Sequence, residues 1–256
     1  MTVAVVGGTG TIGARVVTEL LGRGEEVRVL SRNDAGVPAG AAHHPVNLTD
    51  GAGLAAALVG TDTVLDAVNS TRRSKQTLVA GTERLLEAGA AAGVAHHLAI
   101  SIVGIESIPL GYYRDKVAQE RAIEAGPLPW SILRATQFHQ LLDGAFGALA
   151  RFGVRPTGTA KLQPIDPDVV AVRLADAALG APAGRLPEIA GPRVATLSEL
   201  SRTWADARGL RLRLPLRLPA WGRVGRGLAA GALCAPDAAT PGADFEAWLG
   251  RHRRPS

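Results

Sequence analysis

A tyrosine, a lysine and a serine stand at spacings that could support proton transfer. Tyr112 and Lys116 are four residues apart, so on a helix both side chains project from the same face. A neighbouring ammonium favours the phenolate and would lower the pKa of the phenol, which suits Tyr112 to exchange a proton with a carbonyl or alcohol oxygen. Ser101 lies in the last part of a predicted strand, where its hydroxyl could hold the same oxygen. The pattern Y-x-x-x-K is weak by itself and gains weight only from its position in the fold.

A glycine-rich turn near the start of the chain predicts a binding site for a dinucleotide. The apolar run at residues 3–6 predicts a buried strand, and residues 14–21 carry apolar side chains at helical spacing. Glycines between the two allow a tight turn, let backbone N–H groups approach a pyrophosphate and let the helix pack closely on the sheet. The helix N-terminus adds unpaired donors and a positive dipole end. The residues expected to contact the dinucleotide are Gly7, Gly8, Thr9, Gly10, Thr11, Ile12 and Gly13.

The residues after the second predicted strand indicate which dinucleotide binds. In such folds an acidic residue here takes the ribose hydroxyls of NAD, whereas an arginine accommodates the 2′-phosphate of NADP. The strand ends with Ser31 and Arg32, which favours NADP(H) as the cofactor. Asp34 also lies about twenty residues beyond the glycines, the usual spacing of the ribose-binding acid, and it keeps NAD open as an alternative. Arg15 in the first helix is a possible second phosphate contact, or else an exposed surface charge.

Strands and helices alternate along the first half of the chain, which predicts an α/β fold with a Rossmann-type, doubly wound parallel sheet. We expect one domain over residues 1–256, in which residues 1–135 form the Rossmann core and residues 136–256 mostly form a small C-terminal substrate lobe, with some return to the sheet. Strands are predicted at residues 3–6, 27–30, 63–68, 97–103 and 130–134, and a further strand is predicted to end at residues 44–46. Helices are predicted at residues 50–59, 74–92 and 111–125, after Asp166, and after the capping box Thr196 to Glu199.

The charge, the hydropathy and the cysteine content of the chain indicate which partners and which cellular compartment to expect. The chain has a net charge of +5 and a sequence pI near 10.1, but its arginines are spread out and lack interleaved aromatic residues, so we expect no nucleic-acid partner. Arg211, Arg213 and Arg217 alternate with leucines, as in a half-buried strand with one solvated face. No run of about 18 uncharged apolar residues occurs, so we expect no membrane partner. The single cysteine and the absence of a signal-peptide pattern predict a cytoplasmic protein.

Five segments of the sequence together resemble one protein family. They are the turn at residues 7–13, the strand end at 30–32, and residues 100–104, 111–116 and 133–138. The chain resembles the NmrA-like, NAD(P)H-binding type of atypical short-chain dehydrogenase/reductase over essentially its whole length. The resemblance implies a Rossmann core, a small substrate lobe and usually NADP(H). It also places Asn47 and Leu48 near the adenine, where such proteins often carry Asp-Leu, so the asparagine is a departure from the pattern.

From these residues we predict an NADPH-dependent oxidoreductase that acts on a small, apolar carbonyl, quinone or enone-type compound. Tyr112 would donate the proton, Lys116 would hold the ribose and tune the tyrosine, and Ser101 would orient the substrate oxygen. A non-catalytic NADP(H) sensor and an epimerase or isomerase with bound cofactor remain as alternatives.

The sequence contains two pairs of adjacent histidines, at residues 43–44 and 96–97. Neighbouring side chains on a strand point to opposite faces, so neither pair chelates a metal well and no metal site is expected. The sequence gives no oligomeric state. Further expected contacts are Ser70 with the cofactor, and Gln137, Phe138 and His139 with the substrate.

Overall fold

The computed structural model describes residues 1–71, 73–211, 214–218 and 220–252. Within these ranges the predicted strands are present, with ends that move by a few residues at most. The strands are β1 Thr2–Val6, β2 Glu26–Ser31, β3 Ala42–Pro45, β4 Thr63–Asp66, β5 His96–Ile102, β6 Trp130–Ala135, β7 Val154–Thr157, β8 Lys161–Leu162, β9 Gly184–Arg185, β10 Ala195–Thr196 and β11 Leu214–Arg217.

The helices follow the predicted order, and several lie beyond the segments predicted from the sequence. They are α1 Gly13–Gly22, α2 Leu54–Leu58, α3 Gly81–Ala91, α4 Gly111–Glu124, α5 His139–Ala150, α6 Pro167–Leu179, α7 Leu197–Ala207, α8 Gly222–Ala230 and α9 Phe245–Arg251. A π-helical turn, Lys75–Ala80, leads into α3, and 3₁₀ turns occupy Ile105–Ser107 and Pro236–Ala238. None of the helices within the described ranges is both long enough and apolar enough to span a membrane.

The chain divides into two compact units. Unit 1 comprises residues 1–101, 111–134 and 167–187, and unit 2 comprises residues 102–110, 135–166 and 188–256. Unit 1 is built on a sheet of order β3-β2-β1-β4-β5-β6-β9, and the strand pairs resolved in register are parallel. This is the strand order of a dinucleotide-binding Rossmann fold, whose reversal between β1 and β4 puts a ligand crevice at the carboxyl ends of these strands.

Helices cover the sheet of unit 1 because its strands are apolar on both faces. Side chains of α2, α3 and α4 join the sheet in one buried cluster that includes Val6, Leu30, Leu58, Leu85 and Ile123. The helices α1 and α6 pack against each other, and ion pairs join Arg15 to Asp168 and Arg23 to Asp176. The carboxyl ends of β1, β4 and β5 therefore lie side by side on a rigid framework.

Unit 2 has its own core. Apolar side chains of α5, α7 and α9 meet in a cluster that includes Phe146, Trp204, Phe245 and Trp248. The capping box predicted at the start of α7 is present, since Thr196 accepts from the backbone of Glu199 and the glutamate accepts from the backbone of Thr196. Two small ladders complete the unit: β7 with β11 in parallel, and β8 with β10 antiparallel.

Two local predictions differ from the structure. The helix predicted from Asp50 begins only at Leu54, because Asp50 accepts from Asn47 and from the backbone of Ala52 and so closes a turn ahead of the helix. The alternating run near Arg217 does form a strand, but all four residues of β11 are exposed, so the predicted buried face is wrong. Three members of that run, Leu212, Arg213 and Pro219, lie outside the described residues.

Candidate active site

The glycine-rich turn joins β1 to α1 as the sequence predicts. Gly7 has φ +74°, a conformation that favours glycine, and a Cβ on Gly13 would lie only 2.2 Å from the carbonyl oxygen of Gly7. These two glycines let the chain turn and bring the helix close to the strand. Gly10 and Thr11 are exposed, and a Cβ on Gly10 would meet only the Gly7 oxygen, at 3.2 Å. The outer side of the turn is therefore open to a close-fitting ligand, which fits the seat of a pyrophosphate.

The end of β2 carries the residues predicted to distinguish NADP from NAD. The hydroxyl of Ser31 donates to the backbone oxygen of Asn33 at 2.5 Å, and the ring of His43 lies within hydrogen-bond distance of Ser31 Oγ at 3.1 Å. This anchors the start of the loop. Arg32 and Asp34 are both exposed on that loop. The guanidinium of Arg32 is thus accessible to an anion.

The remaining predicted cofactor contacts are placed around the same edge of unit 1. Asn47 is held in a turn, where its amide donates to Asp50 at 2.7 Å. Leu48 packs against the unit 1 core, and Ser70 is half-buried after β4. Arg15, the possible second phosphate contact, instead pairs with Asp168 and donates to the carbonyl oxygen of Thr11 at 2.7 Å. Its guanidinium therefore braces the turn from the helix side.

The phenol of Tyr112 is half-buried on α4 and held by a partner that the sequence does not reveal. Its hydroxyl donates to Asn69 Oδ1 at 2.8 Å. Burial raises the pKa of Tyr112 to about 12, the nearby Tyr113 adds to that rise, and the hydrogen bond to Asn69 opposes it. The expectation that Lys116 lowers this pKa is therefore not met, because the lysine ammonium is bonded elsewhere. Tyr112 is a neutral phenol, able to donate a proton, over the whole neutral range.

Lys116 belongs to a buried polar network. Its ammonium donates to the carbonyl oxygen of Ile100 at 2.9 Å and to Gln119 Oε1 at 2.6 Å. The Gln119 amide in turn donates to Asp66 Oδ2 and Thr82 Oγ1, each at 3.0 Å. Burial lowers the pKa of Lys116, while the negative charges of Asp66 and Glu120 oppose that shift. The network ties β4, β5, α3 and α4 together beneath the carboxyl ends of the strands.

Two members of this network escaped the sequence analysis although signals for them exist. Gln119 follows Lys116 by three residues and so shares its helix face. Asp66 is the only charged residue of β4 and is 2% exposed, so its carboxylate requires a buried partner. The bond between them spans 53 residues of sequence. Neither spacing nor periodicity shows such a contact.

Ser101 is buried at the end of β5. Its Oγ makes no hydrogen bond of normal geometry, although it lies near enough to Glu120 to help hold down the pKa of that carboxyl. Burial alone would raise the pKa of Glu120, but this hydroxyl and the two hydrogen bonds from Arg134, at 2.9 and 2.5 Å, lower it. Arg185 of β9 also pairs with Glu120. The Ser101 hydroxyl thus keeps donor and acceptor capacity to spare.

The three predicted substrate residues lie in unit 2. Gln137 is bonded on both sides of its amide, to the carbonyl oxygen of Leu233 at 2.8 Å and to the backbone N–H of Gln163 at 3.1 Å. Phe138 is half-buried at the start of α5. His139 is fully buried against the rings of Phe245 and Trp248, unlike the pocket residue that was expected. His139 therefore offers no exposed atom to a substrate and serves the core of unit 2.

A sequence profile of a family described as NAD(P)H-binding matches residues 7–158. A (4-alkanoyl-5-oxo-2,5-dihydrofuran-3-yl)methyl phosphate reductase from Streptomyces griseus is 29% identical over 219 residues, which cover 82% of this chain and 75% of that protein. A 3-beta-hydroxysteroid dehydrogenase from Mycolicibacterium neoaurum is 36% identical over 111 residues, 36% of this chain. The match spans only 29% of the steroid dehydrogenase.

Solved structures resemble the whole chain. An NADPH-dependent quinone oxidoreductase from Escherichia coli, complexed with NADPH, superposes with a TM-score of 0.81 at 18% identity, covering 98% of this chain and 99% of that one. The likeness confirms the predicted Rossmann-type α/β fold.

No group of three or more histidine, cysteine, aspartate or glutamate side chains in the described part of the chain is arranged to hold a metal ion.

Proposed function

The chain belongs to the NAD(P)H-binding family of NmrA-like, atypical short-chain dehydrogenases/reductases, a family of oxidoreductases, and from this premise we propose that it is an NADPH-dependent reductase of a small carbonyl, quinone or enone compound. The observation that carries the proposal is the neutral, half-buried phenol of Tyr112, held by Asn69 in the same unit as the open glycine-rich turn. A protein that only senses the cofactor has no need of a fixed proton donor.

The residues of unit 1 fit NADPH. The turn at residues 7–13 would take the pyrophosphate, and the exposed Arg32 would pair with the 2′-phosphate. Asn47, Leu48 and Ser70 would contact the rest of the cofactor. The bound reduced nicotinamide supplies a hydride. The relatives named for reduction of a quinone and of an oxo-dihydrofuran phosphate support a carbonyl-type acceptor.

The side chains of unit 1 then account for the proton. Reduction of a carbonyl or enone adds one hydride and one proton to the substrate. We assign the proton to Tyr112 Oη, which is protonated at neutral pH, and the phenol recovers a proton from solvent. Ser101 remains a predicted contact of the substrate oxygen, with its Oγ buried near Glu120 and making no hydrogen bond of normal geometry. Lys116 would act as a positioning residue, because its ammonium fixes the carbonyl of Ile100, next to Ser101. Gln137 and Phe138 remain predicted substrate contacts.

A screen of NADPH oxidation over quinones, enones, aldehydes and polycyclic ketones tests the proposal. We expect turnover of at least one class, and we expect Gly10→Val to abolish it together with NADPH-induced thermal stabilisation, because a side chain there would fill the pyrophosphate seat. Gly22→Val, at the open far end of α1, is the matched control and should keep both. NADPH binding without turnover of any compound would contradict the reductase and favour the sensor.

A further inference from the structure

One segment of unit 2 has a net charge of +6, which exceeds the net charge of +5 of the whole chain. Residues 207–236 include six arginines, at positions 208, 211, 213, 217, 223 and 226, and no lysine, aspartate or glutamate. The net charge of the full chain is +5, so the rest of the chain is close to neutral. The segment is also rich in leucine and contains Trp221. A basic and apolar composition of this kind is typical of surfaces that meet an anionic interface.

The apolar side chains of this segment are exposed. Trp221 is 81% exposed and Leu214 is 60% exposed, and the backbone N–H of Leu214 donates to Gly153, next to Phe152, which is 77% exposed. Leu210, Leu216 and Leu218 are exposed as well. We call Phe152 and the described part of segment 210–226 the basic apolar surface. Single exposed apolar residues are ordinary, but so many along one short stretch mark an interaction site.

The helix α8 shows how the surface is oriented. A Cβ on Gly227 would lie 2.6 Å from Ile108, so the glycine face of α8 packs against unit 2. Arg223 and Arg226 are exposed, and no residue of α8 is buried. Trp221 occupies the N-cap position of α8, and the two arginines lie two and five residues after it. Cationic and apolar side chains are therefore presented together.

We propose that the basic apolar surface docks the protein on an anionic lipid bilayer. Arginine guanidinium groups would pair with lipid phosphates, and Trp221 and the leucines would enter the interfacial region. This attachment is peripheral and needs no spanning helix. It departs from the sequence-based expectation that the protein has no membrane partner. The proposal rests on charge and exposure within unit 2 and does not depend on the proposed reductase activity.

Two other occupants fit the surface less well. A symmetric dimer would set the same patch against itself and bring arginines of like charge together. Single-stranded nucleic acid is bound by aromatic side chains on which bases stack, whereas leucines dominate here. Of these three occupants, an anionic bilayer makes the fullest use of both the positive charge and the exposed leucines.

Vesicle binding of the full chain tests the proposal. The probes are vesicles of phosphatidylcholine alone and vesicles of equal parts phosphatidylcholine and phosphatidylglycerol. We expect sedimentation with the second kind only, weakening as salt is raised. Of the four tryptophans, Trp204 and Trp248 are buried and Trp130 packs partly buried against the unit 1 core. A blue shift of tryptophan fluorescence on binding would therefore report mainly on the exposed Trp221, and it should be lost in Trp221→Phe.

A charge variant and a matched control locate the site. Arg217→Gln, Arg223→Gln and Arg226→Gln combined should weaken vesicle binding roughly a hundredfold, since each arginine near an anionic surface contributes about fivefold. The control removes three exposed arginines elsewhere, Arg121, Arg173 and Arg202, and should leave most of the binding. Both variants change surface residues and should unfold like the parent protein.

Several results would overturn the proposal. They are no sedimentation with anionic vesicles at low salt, equal binding to both kinds of vesicle, and equal losses in the two triple variants. A concentration-dependent dimer that disappears in Trp221→Ala would assign the surface to a second copy of the chain. Tight binding of a single-stranded oligonucleotide without vesicle binding would assign it to nucleic acid.

Discussion

Tyr112→Phe should lower turnover far more than it lowers stability. The substitution keeps the ring, which lies 5.4 Å from that of Tyr113, and removes only the hydroxyl that donates to Asn69. Loss of one such hydrogen bond costs about 1 kcal/mol of folding free energy. General acid catalysis contributes about 10²–10⁴ in rate, least when the pKa of the donor is far from the working pH. Because burial raises this pKa to about 12, we expect a loss near the lower end, about a hundredfold.

The pH profile of the parent enzyme gives a second measure. A proton donor is active while protonated, so the contribution of Tyr112 is lost only as the pH rises through its pKa of about 12. Initial rates at saturating NADPH, followed by cofactor absorbance, should therefore show no alkaline limb from Tyr112 near neutral pH. A limb near neutrality that vanishes in Tyr112→Phe would refute this reasoning, because it would mean that a cation lowers the pKa of the phenol.

Tyr113→Phe is the matched control. The Tyr113 phenol is half-buried on the same helix, and burial also raises its pKa. The Oδ1 of Asn69, however, accepts its hydrogen bond from Tyr112. We expect Tyr113→Phe to turn over substrate at nearly the parent rate. Equal losses in the two variants would show that packing of the ring pair, rather than proton donation, limits the reaction. Unchanged turnover in Tyr112→Phe would remove the tyrosine from the mechanism.

Three further changes have defined outcomes. Arg32→Ala should weaken NADPH binding by about ten- to a hundredfold in calorimetry, the effect of one charge-assisted contact, and leave the affinity for NADH unchanged. Asp34→Ala is the control. Equal affinities of the parent protein for NADPH and NADH would contradict the role of Arg32. Gln119→Leu should cost about 3 kcal/mol in urea unfolding, because it removes one hydrogen-bond partner from each of two buried charged groups, Lys116 and Asp66. The exposed Gln76→Leu should cost little. Burial lowers the pKa of His97 from 6.5 to about 4. The free energy of unfolding should therefore hold above pH 6.5 and fall by about 3 kcal/mol as the pH drops to 4. His97→Leu should largely abolish that loss.

The sequence predicts the elements that local pattern determines. The glycine-rich turn, the strands from β1 to β6 and the capping box of α7 follow from residue types within a few positions of one another. The alternation around Arg217 also predicted a strand correctly, but not its exposure. A period of two shows that side chains alternate between faces, and it cannot show whether another element covers either face.

Partners distant in sequence explain the rest of the candidate site. The spacing of Tyr112 and Lys116 placed both on α4, yet their hydrogen-bond partners come from β5, from the loop after β4 and from the next turn of the helix. A lysine with several acceptors in reach takes those that best replace its lost hydration, and only the packed structure identifies them. Because the ammonium is bonded elsewhere, burial decides the direction in which the pKa of Tyr112 shifts.

The interleaved order of the two units affects how the protein is made. Unit 1 takes its last helix and edge strand, α6 and β9, from residues 167–187, after the chain has supplied residues 135–166 to unit 2. Until those residues emerge from the ribosome, α1 lacks its partner helix and β6 has an unpaired edge. At about 5–20 residues per second, the ribosome takes roughly 3–10 seconds to synthesise residues 135–187. The nascent chain would present an incomplete sheet throughout that interval, so a translational pause before residue 187 should lower the yield of folded protein more than an equal pause after it.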